Sequence, residues 1–153
     1  MQKPPSQSAN AGDLVGALRQ RYAPPAFAFL PQVANGTGGN RSRTADALAM
    51  SLWPSRGLEL HGFEIKVSRG DWLRELKEPA KADAVARFCD RWWIVVPTRD
   101  IVKPAELPRG WGLLATSGES LRAVVEAGII ECEPLTRQFL AAVLRVAAAP
   151  GEA

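Results

Sequence analysis

Apolar and polar residues alternate most regularly in the stretch LELHGFEIKVS, Leu58 to Ser68. Leu58, Leu60, Gly62, Glu64 and Lys66 fall on one side of an extended chain. His61, Phe63, Ile65 and Val67 fall on the other, which predicts a β-strand. RTADALAMSLW is helical by propensity, since alanine and leucine favour helix. Its alternation favours a strand, with Ala45, Ala47, Ala49 and Ser51 facing one way and Asp46, Leu48, Met50 and Leu52 the other. The glycine-rich NGTGGNRSR before it and WPSRG after it punctuate it as part of a hairpin. Upstream, DLVGALRQRY puts Leu14, Leu18 and Tyr22 on one helical face, with Asp13 as its N-cap and Pro24-Pro25 as its stop. AFAFLPQVANG reads as a strand whose interior proline places it at a sheet edge or a bulge.

Downstream, Ser68 and Asp71 are placed to cap a helix over DWLRELK, and Pro79 can open a second helix over PAKADAVARF. RWWIVVP is a short apolar run ended by proline, the pattern of a strand buried on both faces. WGLLATSGESLRAVVEA predicts a hairpin turning at Ser117-Gly118. PLTRQFLAAVLRVAAA predicts a closing amphipathic helix with Leu140, Val143 and Leu144 inward. The order is helix, strands, helix, strand, strands, helix. This predicts an α/β sandwich with a mixed central β-sheet flanked by helices, and no internal repeat is visible.

A chain of 153 residues suits one domain. Its expected extent is residues 13–147, between a disordered lead-in over 1–12 and a frayed tail over 148–153. With 46% hydrophobic and 23% charged residues the composition is that of an ordinary globular protein. A net charge of +3 and a pI near 9.2 are compatible with a nucleic-acid partner. The two cysteines, Cys89 and Cys132, show no CxxC spacing, which points to a reducing cytoplasm. The single histidine, His61, excludes a histidine-rich zinc site, so any metal needs carboxylate ligands. No apolar run reaches the length of a membrane span, and the first residues lack the apolar core of a secretory signal.

Glu-x-Lys occurs twice, at Glu64–Lys66 and at Glu75–Lys77. On a strand, residues two apart point the same way, so Glu64 and Lys66 can meet around one group. On a helix they diverge, so Glu75 and Lys77 read as a solvated face. A carboxylate and an ammonium on an otherwise apolar strand face require an explanation, because burying them unpaired is costly. They form a simple salt bridge, or they gather a metal and a phosphate at the open end of the sheet. Asp46 bears on the choice, because it lies on the preceding strand of the hairpin, within reach of a shared divalent cation. Two carboxylates, Mg²⁺ and a lysine make a compact device for phosphodiester cleavage.

The order of helix, strand, strand with Asp46, strand with Glu64-Ile65-Lys66, helix and strand resembles the core of the PD-(D/E)XK nucleases. The run EIKVSRGDWLRELKEPAKADAVARFCDRWWIVVP, followed by ELPRGWGLL, resembles the MmcB-like and phage-associated branch of that superfamily. The resemblance spans about Arg43 to Ala115. It implies a restriction-endonuclease-like core and a Mg²⁺- or Mn²⁺-dependent nuclease acting on DNA in repair, recombination or phage replication. It further implies a cytoplasmic protein, bacterial or phage-encoded, working as a homodimer or with a protein partner. It carries over Asp46 and Glu64 as catalytic metal ligands, the Ile65 carbonyl as a further ligand and Lys66 as the catalytic lysine. The family's proline is absent, since Ala45 precedes Asp46. The first helix offers only Asp13 and Gln20 where many members supply a further glutamate.

Other residues read more simply. Ser68 and Asp71 match the family segment and are first of all caps. Arg41, Arg43, Arg69, Lys77 and Lys81 are candidates for a phosphate-contacting groove, with Ser68 beside them. Trp92 and Trp93 are adjacent on a strand and face opposite sides. His61 points away from Glu64, and Trp53, Trp72 and Trp111 read as core or edge aromatics. Besides the nuclease, a non-cleaving DNA-binding module and an adaptor holding Asp46, Glu64 and Lys66 as an ion network fit the same residues.

Overall fold

The structure, a computed structural model, describes residues 9–38 and 43–150. Most of the expected lead-in and part of the tail (residues 1–8 and 151–153) lie outside the described residues, as does Arg41 within the glycine-rich turn. Helix α1 covers Ala11–Arg21 and begins two residues before Asp13. Asn10, not Asp13, is its N-cap. The Asn10 side chain accepts the Asp13 N–H at 2.9 Å, and the Asp13 carboxylate accepts the Asn10 N–H at 3.0 Å. This reciprocal pair satisfies two amide donors at the helix start, and Asp13 is its third helical residue. Leu14, Leu18 and Tyr22 are buried, as the spacing predicts.

Six strands form one mixed sheet in the order of the sequence. They are β1 (Phe27–Ala34), β2 (Thr44–Ser51), β3 (Leu60–Ile65), β4 (Arg91–Val96), β5 (Gly112–Ser117) and β6 (Ser120–Val125). β1, β2 and β3 run antiparallel in turn, β3, β4 and β5 are parallel, and β6 turns back along β5. The carboxyl ends of β3, β4 and β5 therefore share one edge of the sheet with the first residues of β2 and β6. β1 is an edge strand, where Pro31 leaves no inner ladder bond unmade. The next residue, Gln32, has φ 52° and interrupts the pairing opposite Asp46.

The alanine-rich β2 is extended because its small side chains serve packing. Ala47 and Ala49 lie beneath Leu14 and Leu18 of α1, together with Phe63, Trp93 and Val95. On the other face Trp92 packs with Phe88 and Phe139, and Ile94 and Val96 pack with Trp72. Trp92 and Trp93 thus look in opposite directions, both buried. Gly62 makes the first of these contacts possible, since a Cβ there would lie 2.3 Å from Cζ3 of Trp92. β3 starts at Leu60, and Leu58, with φ 52°, is exposed before it.

α2 (Arg69–Lys77) and α3 (Asp83–Ala86) form the crossover between β3 and β4. The expected helix from Pro79 is shorter than its pattern: a 3₁₀ turn at Pro79–Lys81 precedes α3. The chain leaves helical geometry where Phe88 and Cys89 fold inward onto Trp92. α4 (Arg137–Ala148) closes the fold against β1. Its buried side is Phe139 and Ala142, flanked by Val143 and Val146, while Leu140 and Leu144 are 44% and 55% exposed. Stacking of Phe139 on Phe88, with ring centroids 4.6 Å apart, turns the helix away from the leucine-inward phase that its sequence suggests. Among the described residues no helix is long and apolar enough to cross a membrane.

Candidate active site

Asp46 and Glu64 are brought together by strand register. Leu48 pairs with Gly62 and Ala47 with Phe63, so the next pair in the same register is Asp46 and Glu64. The Asp46 carboxylate accepts the backbone N–H of Ile65 at 2.7 Å, which fixes it at the end of β3. The Glu64 carboxyl is near enough for the Asp46 charge to act on it, and the register puts both on one face, so the two acids converge instead of diverging to opposite faces. Lys66 continues β3 by one step, its N–H bonded to the Val95 carbonyl at 2.9 Å. Its ammonium stands 3.6 Å from Glu64 and 3.2 Å from Glu75 of α2.

The solvated face expected for Glu75 and Lys77 holds for Lys77 alone. Glu75 and Lys77 do diverge, but Glu75 is on the inner side, with its side chain 13% exposed, while Lys77 faces solvent. The sequence carried a signal for this. Trp72, Glu75 and Leu76 follow i, i+3, i+4 spacing, so a helix that buries Trp72 turns Glu75 toward the sheet.

Two carboxylates, those of Glu64 and Glu75, thus flank the Lys66 ammonium. Burial holds the Glu64 carboxyl well above the ordinary carboxylate range, and the adjacent Asp46 charge adds to this. Lys66 opposes the shift and Glu75 reinforces it. The cluster lacks positive charge. Its hard oxygen donors, the Asp46 and Glu64 carboxylates and the neighbouring Ile65 carbonyl, are of the type that suits Mg²⁺ or Mn²⁺. Among the described residues no three Asp, Glu, His or Cys side chains form a metal-ligating group, and Glu75 is engaged by Lys66.

A hollow of about 40 Å³ opens beside Glu64 and Glu75, with Arg43, Lys81 and Trp92 among its walls. This is room for an ion and its water, not for a nucleotide. Trp92 Nε1 is buried and has no hydrogen-bond acceptor among the described residues. A wider groove of about 470 Å³, lined by Val15, Pro31, Ile65 and Val67, reaches Asp46 from the side of α1. Asp46 therefore borders the groove and Glu64 the hollow.

The remaining expected residues divide. Arg43 is exposed, and Lys81 pairs with Glu78; both border the hollow. Ser68 caps α2, accepting the Asp71 N–H at 3.1 Å, and Asp71 pairs with Arg74. Arg69 is held by Glu106. Its guanidinium grips Glu106 through two bonds of 2.6 and 2.7 Å and donates to the Ile101 carbonyl. Glu106 is pushed down to about 2 by Arg69 first and by the Lys103 N–H second. His61 is buried on the α1 side, where its Nδ1 accepts the Trp93 indole N–H at 3.1 Å. Burial lowers its pKa to about 4, and it is remote from the acids, as its strand parity predicts.

No family model and no curated protein matches the chain. A solved structure of a protein of unknown function from Silicibacter pomeroyi is similar, with a TM-score of 0.61 and 21% sequence identity. The match covers 92% of this chain and 89% of that one, and at this identity it concerns the fold alone.

Proposed function

We propose that the chain carries a restriction-endonuclease-like core and is a Mg²⁺- or Mn²⁺-dependent nuclease that hydrolyses DNA phosphodiester bonds. The observation that carries this reading is the meeting of Asp46, Glu64 and Lys66 at the carboxyl end of β3. The antiparallel β1–β2–β3 unit, the α2 crossover and the parallel β4 fit the element order of the PD-(D/E)XK core.

Asp46, Glu64 and the Ile65 carbonyl are the groups that would hold the cation. When bound, it supplies Lewis acidity toward a phosphate oxygen and toward water. Asp46 is kept in place by the Ile65 N–H and needs little reorganisation to take up this role. Lys66 brings a positive charge beside Glu64, where it offsets negative charge growing on the phosphate in the transition state. Glu75 holds the Lys66 ammonium and restricts where it can go. Buried Trp92 lines the hollow and limits water there.

Lys66 lies closer to Glu75 than to Glu64, which favours a second reading: a DNA-binding module whose ion network is complete without a metal. Titration of Mg²⁺ and Mn²⁺ on plasmid, nicked and branched DNA separates the two. The nuclease reading expects metal-dependent cleavage that disappears in Asp46→Asn and Lys66→Ala. Binding without cleavage under every metal supports the module, and cleavage surviving both substitutions removes the proposed site.

A further inference from the structure

Directly paired residues of neighbouring strands share a face of a sheet, and three registers link Lys66 to a distant arginine. Ile65 pairs with Val95, so Lys66 is level with Val96; Val96 pairs with Ala115, and Ala115 with Arg122. Lys66 and Arg122 therefore lie in one row on one face, three strand spacings apart, about 14 Å. Trp72 of α2 covers Val96 and Ala115 between them.

Arg122 lines a hollow of about 410 Å³ together with Arg99, in the short turn beyond β4 on the same edge of the sheet, and with Ser117. Among the described residues no acidic side chain lines this hollow. Both arginines are exposed, and neither forms an ion pair among the described residues. Arg69 and Arg91, by contrast, are each gripped by a glutamate. Two unneutralised guanidinium groups converging on one hollow are suited to phosphate, which arginine binds through paired N–H donors.

We propose that Arg99 and Arg122 form a backbone-phosphate subsite for the DNA strand cut at Glu64 and Lys66. This rests on the nuclease reading above. Phosphates on one strand advance by about 3.4 Å along the duplex axis, so with the 14 Å row lying along that axis this contact is about four nucleotides from the cut. The strand crosses the outside of α2 between the two points.

The test is the salt dependence of binding to a fluorescent DNA duplex several turns long, in EDTA so that no strand is cut. Three proteins are compared: wild type, Arg99→Gln/Arg122→Gln, and Arg56→Gln/Arg109→Gln. The last removes the same charge from exposed residues at the opposite edge of the sheet. Each phosphate contact adds about 0.9 to the slope of log affinity against log salt. The Arg99/Arg122 variant is expected to lose nearly two units of slope, and the control to keep the wild-type slope. An unchanged slope in the Arg99/Arg122 variant, or an equal loss in both variants, overturns the subsite and leaves the nuclease reading standing. Failure of the wild type to bind removes the subsite, whereas the nuclease reading stands or falls on metal-dependent cleavage.

Discussion

The Lys66 ammonium is held between two carboxylates, 3.2 Å from Glu75 on the helix and 3.6 Å from Glu64 on its own strand. The two Glu-x-Lys triplets thus contribute to one cluster, the first with both charges and the second with its acid alone. Glu75 is a positioning residue in this account. Displacing a charged group by about 1 Å can cost around 10²-fold in rate. Glu75→Ala is expected to lower kcat by about that factor with little change in KM, and Glu75→Asp to recover part of the loss. Steady-state kinetics on a labelled duplex checks this. A rise in KM alone contradicts it.

A cation between Asp46 and Glu64 offsets the penalty that burial and the Asp46 charge place on an ionised Glu64. Mg²⁺ is therefore expected to stabilise the fold, by about 2.7 kcal/mol at a hundredfold excess over its Kd. For a chain of this size that is a rise of roughly 5–10 °C in Tm. Asp46→Asn keeps an acceptor for the Ile65 N–H and removes one charge. It is expected to raise the metal-free Tm and abolish the Mg²⁺-induced shift, as read by thermal scanning.

Gly62 faces the same side as Glu64 and lies under Trp92. Gly62→Ala puts a methyl group 2.3 Å from a buried indole that has little room to move. Overpacking of this kind costs about 1–3 kcal/mol, and the rigid neighbour favours the upper end. Urea unfolding of the variant is expected to show a loss of that size.

His61 provides a pH dependence separate from the acids. Burial first of all lowers its folded pKa to about 4 from 6.5, with Arg91 acting in the same direction and Glu59 against it. Above pH 6.5 the ring is neutral in both states, and its contribution to stability is fully present. As pH falls toward 4 the unfolded chain takes up a proton that the folded protein refuses, so stability is lost across this window. The loss is at most about 3 kcal/mol and is complete below the folded pKa. Urea midpoints measured from pH 7 to pH 4 are expected to fall accordingly, with a shallower slope in His61→Asn.

Where a residue pattern had one physical solution, the sequence could be read directly. The parity of LELHGFEIKVS placed Glu64 and Lys66 together and His61 opposite them. Pro31 marked β1 as an edge strand, and Ser117-Gly118 marked the β5–β6 turn. Where two solutions competed, tertiary packing decided. Phe139 displaced Leu140 and Leu144 from the core because an aromatic partner, Phe88, was waiting across the interface. Asn10 took the cap from Asp13 because the two side chains satisfy each other's amides. Arg69 is ion-paired because Glu106, 37 residues away, meets it with both oxygens. Glu75 and Lys77 look alike as a pair two apart on a helix, whereas the helix phase set by Trp72 assigns each member separately.

The twin lysines offer the most direct test of the central claim. Single-turnover cleavage of supercoiled plasmid in Mg²⁺ should be compared for wild type, Lys66→Ala and Lys77→Ala. The account predicts a loss of about 10²-fold or more for Lys66→Ala, the scale of removing one transition-state charge partner, and a wild-type rate for Lys77→Ala. Equal rates for the two variants would contradict it.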